Sequence, residues 1–310
     1  MIATAPAGPV AVGARRDVQI ADQPRPQRRA GFFDGWTLGK VLGTIALWIL
    51  VAVVVGPLAW AALSSFKPDV ETSTFPPTIL PHTVTIENYV KLFTVLPFTT
   101  FFINSLGVAV ATSLLTILLS ASAAYATARF RSPFAEATSA VGLVAYMLPG
   151  ILIVVPIFAV AQALKALDSL PALVLIYSAY FVPFGVWVLR SYFAGIPVEL
   201  EDAAMVEGAS RLEAFYMVVL PQALPGLIAT GIWTFTVAWN EYLFASLLLY
   251  TQQHQTLSIG LSSVLVSDNN LYSWGVLMAA CTLMTVPVML IFMIIQRSLV
   301  TGLSSGAVKG

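Results

Sequence analysis

Seven stretches of this chain run for 21 residues or more without a single Asp, Glu, Lys or Arg: 41–66, 92–128, 137–164, 169–189, 214–240, 242–267 and 269–296. A bilayer core of about 30 Å is crossed by roughly 20 helical residues. Backbone amides inside lipid have no water to bond, so such runs must satisfy their hydrogen bonds as helices. Trimming polar and proline-rich ends predicts six spans, at about 42–64, 101–126, 138–163, 170–190, 224–249 and 273–296. The run 242–267 holds the polar TQQHQ at 251–255, so it is not counted as a crossing, and its first part finishes the fifth helix. Only 10% of the residues are charged, against about 25% in soluble proteins.

Lys and Arg collect on the cytoplasmic side of membrane proteins. With the N-terminus inside, twelve of the fifteen basic residues fall in inner segments, and only Lys67, Lys91 and Lys165 fall outside. Both termini are therefore expected to be cytoplasmic, and so is the loop at 191–221. Residues 1–30 are rich in Pro, Ala, Gly and Arg and lack aromatic residues; they are expected to form a disordered cytoplasmic tail. Phe32, Phe33 and Trp36 follow as a possible interfacial anchor. Net charge is zero, which excludes an overall basic field for nucleic acid. The single cysteine, Cys281, sits in an apolar run and excludes a disulfide framework within the chain.

Between the fourth and fifth spans lies a polar island, ELEDAAMVEGASRLEAFYMVVLP, beginning at Glu199. Pro197 suits a first helical turn, and Glu199, Glu201 and Asp202 put negative charge where a helix N-terminus favours it. Gly208 breaks the helix. Ser210 followed by Glu213 is a capping box that opens a second one. Leu212, Phe215, Tyr216 and Val219 share one face of that helix, and Pro221 is expected to end or kink it. A bent pair of short helices on the water side of a membrane protein is a docking element for a soluble partner.

The chain carries no chemistry of its own that spacing reveals. GWTLGKV at 35–41 has the wrong glycine spacing for a phosphate loop and no Ser or Thr after Lys40. His82 and His254 lie in separate loops, far apart. Glu241 is the one acidic residue inside a predicted span, where an ionised carboxylate costs about 2.5–3.5 kcal/mol on insertion scales. It either lines a solute route with Trp239 and Asn240 or holds helices together by hydrogen bonds, and the second reading is preferred. Prolines 149, 156, 183 and 287 fall within spans; MLPG at 147–150 reads as a static kink before it reads as a hinge.

The island resembles the coupling motif, the EAA loop, of ABC importer permeases. The matching positions are Asp202, Ala203, Ala204, Glu207, Gly208, Ala209, Leu220 and Pro221, with the two acidic residues exchanged relative to the common pattern. The tail QRSLVTGLSSGAVKG and WNEY at 239–242 are similar to the MalG-like subunits of carbohydrate importers. The resemblance implies an all-α integral membrane protein of six transmembrane helices with a cytoplasmic coupling helix–turn–helix, the MetI-like fold, over residues 31–310. It implies no catalytic residue, metal or cofactor in this chain, with ATP and Mg bound by a partner ATPase. Its implied partners are a second homologous permease, an ATP-binding cassette ATPase dimer, an extracytoplasmic solute-binding protein and membrane lipid.

The resemblance implies that residues 197–221 couple to the ATPase, through Glu201, Asp202, Ala203, Ala204, Glu207, Gly208, Ala209, Ser210, Leu220 and Pro221. It implies that the tail, with Gly302, Gly306 and Lys309, contacts the ATPase pair, and that the outer segment 251–270 reaches the binding protein. The alternative is an ion- or proton-coupled secondary transporter. Such carriers show repeats and several intramembrane ionisable groups, whereas this chain has one such group and no visible repeat.

Overall fold

The computed structural model describes residues 38–130, 133–266 and 274–307, with side chains through Gln296 at the C-terminal end. The expected tail at 1–30, the aromatic anchor and Lys309 lie outside the described residues. The chain divides into two compact units, one ending at Val53 and the other starting at Val54. All sites discussed below belong to the second.

The described residues are helical, without strands. Four helices are long and apolar enough to cross a membrane: α1 (Leu38–Ser64), α4 (Phe98–Arg129), α7 (Leu170–Ala194) and the first part of α14 (Trp274–Ala307). Between α1 and α4 stand two short helices, α2 (Asp69–Thr72) and α3 (Glu87–Val95).

The third and fifth expected spans need correction, because neither is one straight helix. In place of 138–163 stand α5 (Pro133–Tyr146) and α6 (Gly150–Ala163), bent by 102° at their junction. Pro149 caps α6 in an extended conformation at φ −55°, ψ 127°. A proline disfavours helical geometry in the residue before it, so the chain breaks at Met147–Pro149 rather than kinking gently. Pro156, Pro183 and Pro287 remain inside helices.

In place of 224–249 stand α11 (Leu224–Asn240) and the short α12 (Leu243–Leu248). Glu241 is the residue of the break, extended at φ −67°, ψ 133°. At 17 residues α11 reaches about 25 Å, less than the hydrocarbon thickness. The other strongly bent pair is Arg211–Gln222 with α11, at 75°, and six crossings result only if it and α5–α6 each count as one. A further helix, α13 (Leu257–Val266), precedes α14.

The core forms where α4 meets α7 and α11. Along α4 the buried face carries small residues: Ser105, Ala109, Ser113, Thr116, Ser120 and Ala124. Lipid tails are as apolar as leucine, so small side chains that let backbones approach drive helix association in membranes. The approach is tight enough that a Cβ on Gly185 of α7 would stand 2.4 Å from Ser120 Oγ. Ser113 Oγ donates to the Gly231 carbonyl of α11 at 2.8 Å. At one end this packing surrounds Trp239, Tyr177, Phe101 and Phe181. A second cluster, Tyr125, Leu189, Phe193, Phe215 and Val219, closes the other end. That second cluster carries the polar island.

Candidate functional site

The island folds as α8 (Val198–Val206), a turn, then α9 (Arg211–Ala214), one π-helical turn (Phe215–Val219) and α10 (Leu220–Gln222). Gly208 makes the turn at φ +102°. Space does not demand glycine there, since nothing lies within 4 Å of a Cβ built on it; the backbone conformation alone does.

Ser210 then starts the second helix with a complete capping box. Glu213 N donates to Ser210 Oγ at 3.3 Å, and Ser210 N donates to Glu213 Oε2 at 2.7 Å. Hydrogen bonding from Ser210, its side chain first and then its backbone N–H, holds the exposed Glu213 carboxyl below its usual range.

Pro221 stands one residue before this helix ends: the helix from Arg211 stops at Gln222, and a 75° bend leads into α11. The π-turn just ahead directs the Leu220 N–H to the Phe215 carbonyl. Pro225 lies in the first turn of α11, where a proline is tolerated because that N–H has no intrahelical partner.

The apolar face of the second helix divides. Phe215 and Val219 are buried against α4 and α7. Phe215 lies with its ring centroid 4.4 Å from Tyr125 and 6.1 Å from Phe193. Leu212, Tyr216 and Met217 are exposed, as is Val206 at the end of α8, at 88%. The π-turn is where the division falls: i→i+5 bonding adds a residue to the turn and rotates the neighbouring side chains around the axis.

Glu201 needs a correction too. It does not face solvent with its neighbours but is 3% exposed. Arg129 Nε, at the end of α4, donates to Glu201 Oε1, and Tyr125 Oη donates to Oε2 at 2.8 Å. Arg129 Nη2 also donates to the Ile196 carbonyl at 3.1 Å, just ahead of α8. The Arg129 side chain is 6% exposed. The ion pair therefore sits out of water, where both charges need each other. Glu201 is thus a strut between α8 and α4.

Beside it opens a cavity of about 530 Å³ lined by Arg129, Glu201, Asp202, Met205 and Arg211 among others. Arg211 stands over the Phe130 ring at 5.4 Å. Asp202, Ala203 and Glu207 are exposed, and Ala204 and Ala209 half-buried.

Trp239, Asn240 and Glu241 lie elsewhere, in the other core, and do not line one surface together. Trp239 is 1% exposed, with Nε1 donating to the Met284 carbonyl of α14 at 3.2 Å. Burial removes it as a pathway-lining residue within this chain. Asn240 is exposed and donates to Thr236 O at 2.8 Å. Glu241 accepts from Phe244 N at 2.9 Å, Ala245 N at 3.1 Å and the Tyr177 hydroxyl. The carboxylate caps α12 and ties the break to α7, the structural role preferred from sequence. Of the tail, Gly302 and Gly306 continue α14; of the outer segment, 267–270 lie outside the described residues.

Two sets of residues went unnoticed in the sequence. One is the Arg129–Tyr125–Glu201 strut. The other is Asp168, which receives Tyr250 N, Thr251 N, Thr251 Oγ1 and His254 Nδ1 at 2.6–3.1 Å. Partners 72 to 86 residues apart leave no local spacing signal.

Residues 116–305 match the family described as binding-protein-dependent transport system inner membrane components. The chain belongs to that family. Relatives support the assignment along nearly the full length. The inner membrane ABC transporter permease protein YcjP of Escherichia coli (strain K12) is 35% identical, over 94% of this chain and 100% of its own. The sulfoquinovosyl glycerol transport system permease protein SmoH of Agrobacterium fabrum is 35% identical, over 88% and 95%. The trehalose transport system permease protein SugB of Mycobacterium tuberculosis is 35% identical, over 84% and 96%.

The fold matches a chain from the crystal structure of a bacterial ABC transporter that imports alginate, at a TM-score of 0.74 and 20% identity. That match covers 84% of this chain and 98% of the other. This family member is a multi-pass transport subunit of the membrane and not an enzyme.

Proposed function

We propose that this chain is one permease subunit of an ATP-driven, binding-protein-dependent importer of a sugar or related polyol, and that residues 197–221 carry the ATPase's motion into the membrane. The single observation behind the coupling role is the two-sided island. Phe215 and Val219 are buried on α4 and α7, Glu201 is tied to Arg129, and Leu212, Tyr216 and Met217 stay open. A partner that grips the open side moves α4 and α7 with it, because the closed side is packed and ion-paired.

The ATP and Mg belong to that partner, an ATPase dimer, and the cavity beside Arg129 and Asp202 offers room for one of its side chains. A second homologous permease completes the pathway, and a solute-binding protein delivers cargo on the opposite side. The Lys and Arg distribution supports a cytoplasmic position for both termini. The tail, including Gly302, Gly306 and Lys309, is a second ATPase contact. The sugar reading rests on relatives named for sulfoquinovosyl glycerol, trehalose and diacetylchitobiose transport. A further solved structure holds an alginate ABC transporter with an alginate pentasaccharide-bound periplasmic protein.

The test joins the chain to its partner subunits in proteoliposomes supplied with binding protein and candidate sugars. Uptake should require ATP, and a cysteine at Met217 should cross-link to the ATPase. Uptake that follows an ion gradient without ATP counts against the reading, as does a Met217 cysteine that labels only from the binding-protein side.

A further inference from the structure

At the end of α1 farthest from Leu38, a cavity of about 280 Å³ lies between α1, the α2 loop and the start of α14. Trp60, Lys67, Glu71, Thr78 and Trp274 line it. Lys67 is unusual: the residue is 2% exposed. Its ammonium donates to the Thr78 carbonyl and lies 4.8 Å from the centroid of the Trp60 ring. Among the described residues no carboxylate stands within 4.0 Å of it. Buried charges are ordinarily paired with an opposite charge.

Glu71 lines the same cavity but is turned to other partners. It accepts from Thr78 Oγ1 at 2.7 Å and from His82 N and Nδ1 at 3.1 Å. The Thr78 bond, then those of His82, hold its carboxyl down at about 2, so it is charged at neutral pH. The site therefore holds one cation and one anion that do not reach each other.

Its surroundings fix the medium. Trp60 is one turn from the end of α1, and Trp274 is the first residue of α14. Tryptophan at span ends marks the headgroup level of a bilayer. On the same stretch of α1, Val54, Val55 and Leu58 are exposed and must meet an apolar phase.

We propose that this cavity is a headgroup site for a zwitterionic aminophospholipid of the phosphatidylethanolamine type. The phosphate faces Lys67, the primary ammonium faces Glu71, and the indoles flank the glycerol. A choline headgroup lacks the N–H to donate to Glu71, and a glycerol headgroup lacks the positive charge. The site is independent of which solute the transporter carries.

The test uses the complete transporter in nanodiscs of equal parts phosphatidylethanolamine, phosphatidylcholine and phosphatidylglycerol, with retained lipid read by native mass spectrometry. Wild type should retain phosphatidylethanolamine at least several-fold over the other two. Lys67→Met should lose retention of all three, Lys67→Arg should restore it, and Glu71→Gln should erase only the headgroup preference. Fluorescence of Trp60 and Trp274, isolated by replacing the other tryptophans with Phe, reports site occupancy should Lys67→Met fail to assemble. Equal retention of the three lipids by wild type overturns the proposal, as does unchanged retention in a well-assembled Lys67→Met complex. Displacement of the lipid by millimolar glycerophosphoethanolamine would assign the same chemistry to a soluble ligand and overturn the lipid source.

Discussion

Two glutamates, Glu201 in the first turn of α8 and Glu241 at the break after α11, each accept a hydrogen bond from a tyrosine on a neighbouring span, Tyr125 and Tyr177. There the likeness ends. Glu201 is completed by the guanidinium of Arg129, a residue of another helix. Glu241 is completed by Phe244 N and Ala245 N, three and four residues along its own chain. A carboxylate with a long-range cation transmits force between elements, whereas one satisfied by local amides shapes a turn. The first ties α8 to α4. The second stabilises a fixed break, beside the other break at Gly150, where a Cβ would meet Leu243 and Phe244 at 3.5–3.7 Å.

The largest test of this contrast is Arg129→Met. It strands a buried carboxylate, for which about 3–5 kcal/mol of destabilisation is expected. The complex should lose thermal stability, and α8 should become accessible to protease. An Arg129→Glu, Glu201→Arg exchange should recover part of the loss if the pair itself matters.

Gly208→Val is next. The φ of +102° is closed to a β-branched residue, and strain of about 1–3 kcal/mol falls on the hinge alone. The chain should still insert and keep its core, but the ATPase should no longer co-purify. Normal uptake with this substitution would remove the hinge from the mechanism.

Glu241→Gln should do less. Phe244 N bonds one carboxylate oxygen and Ala245 N the other, so the amide oxygen can keep only one of the two backbone bonds and the NH2 faces the other donor, at about 1–2 kcal/mol. A small fall in melting temperature with unchanged sugar affinity supports the capping role; a changed affinity returns Glu241 to the solute route. Ser210→Ala, which loses the cap of α9, should cost about 1 kcal/mol or less and lower the coupling efficiency slightly, read as sugar moved per ATP.

A last effect is confined to the contact between Asp168 and the segment 250–254. Burial of Asp168 works against its charge, yet hydrogen bonds from Thr251, His254 and the Tyr250 amide lower its pKa to about 2 from 3.8. A depressed folded pKa stabilises above the unfolded value and ceases to do so as pH falls. The staple between 168 and 250–254 should hold above pH 4 and open between about pH 4 and pH 2, as proteolysis at Gln252–Gln253 would register. Asp168→Asn should abolish that pH dependence.

Much of the architecture was legible because it is written in local terms. Charge-free length marks a span, Ser210 and Glu213 mark a cap by their spacing, and Gly208 marks a turn by its backbone freedom. These signals depend on neighbours along the chain, so α1, α4, α7 and the capping box stand close to where they were expected. The breaks at Pro149 and Glu241 were harder, because a long apolar run reads the same whether it is straight or folded back by 102°.

The amino-acid order by itself determined a helical membrane protein with a bent polar handle, since hydrophobic length and capping chemistry act over a few residues. Only the tertiary structure decided which side of that handle is held and which is open. Packing put Phe215 inward and Tyr216 outward, and buried Glu201 while leaving Asp202 in water. Such choices turn on which distant surface lies opposite each side chain, and Arg129 finds Glu201 only when α4 and α8 meet.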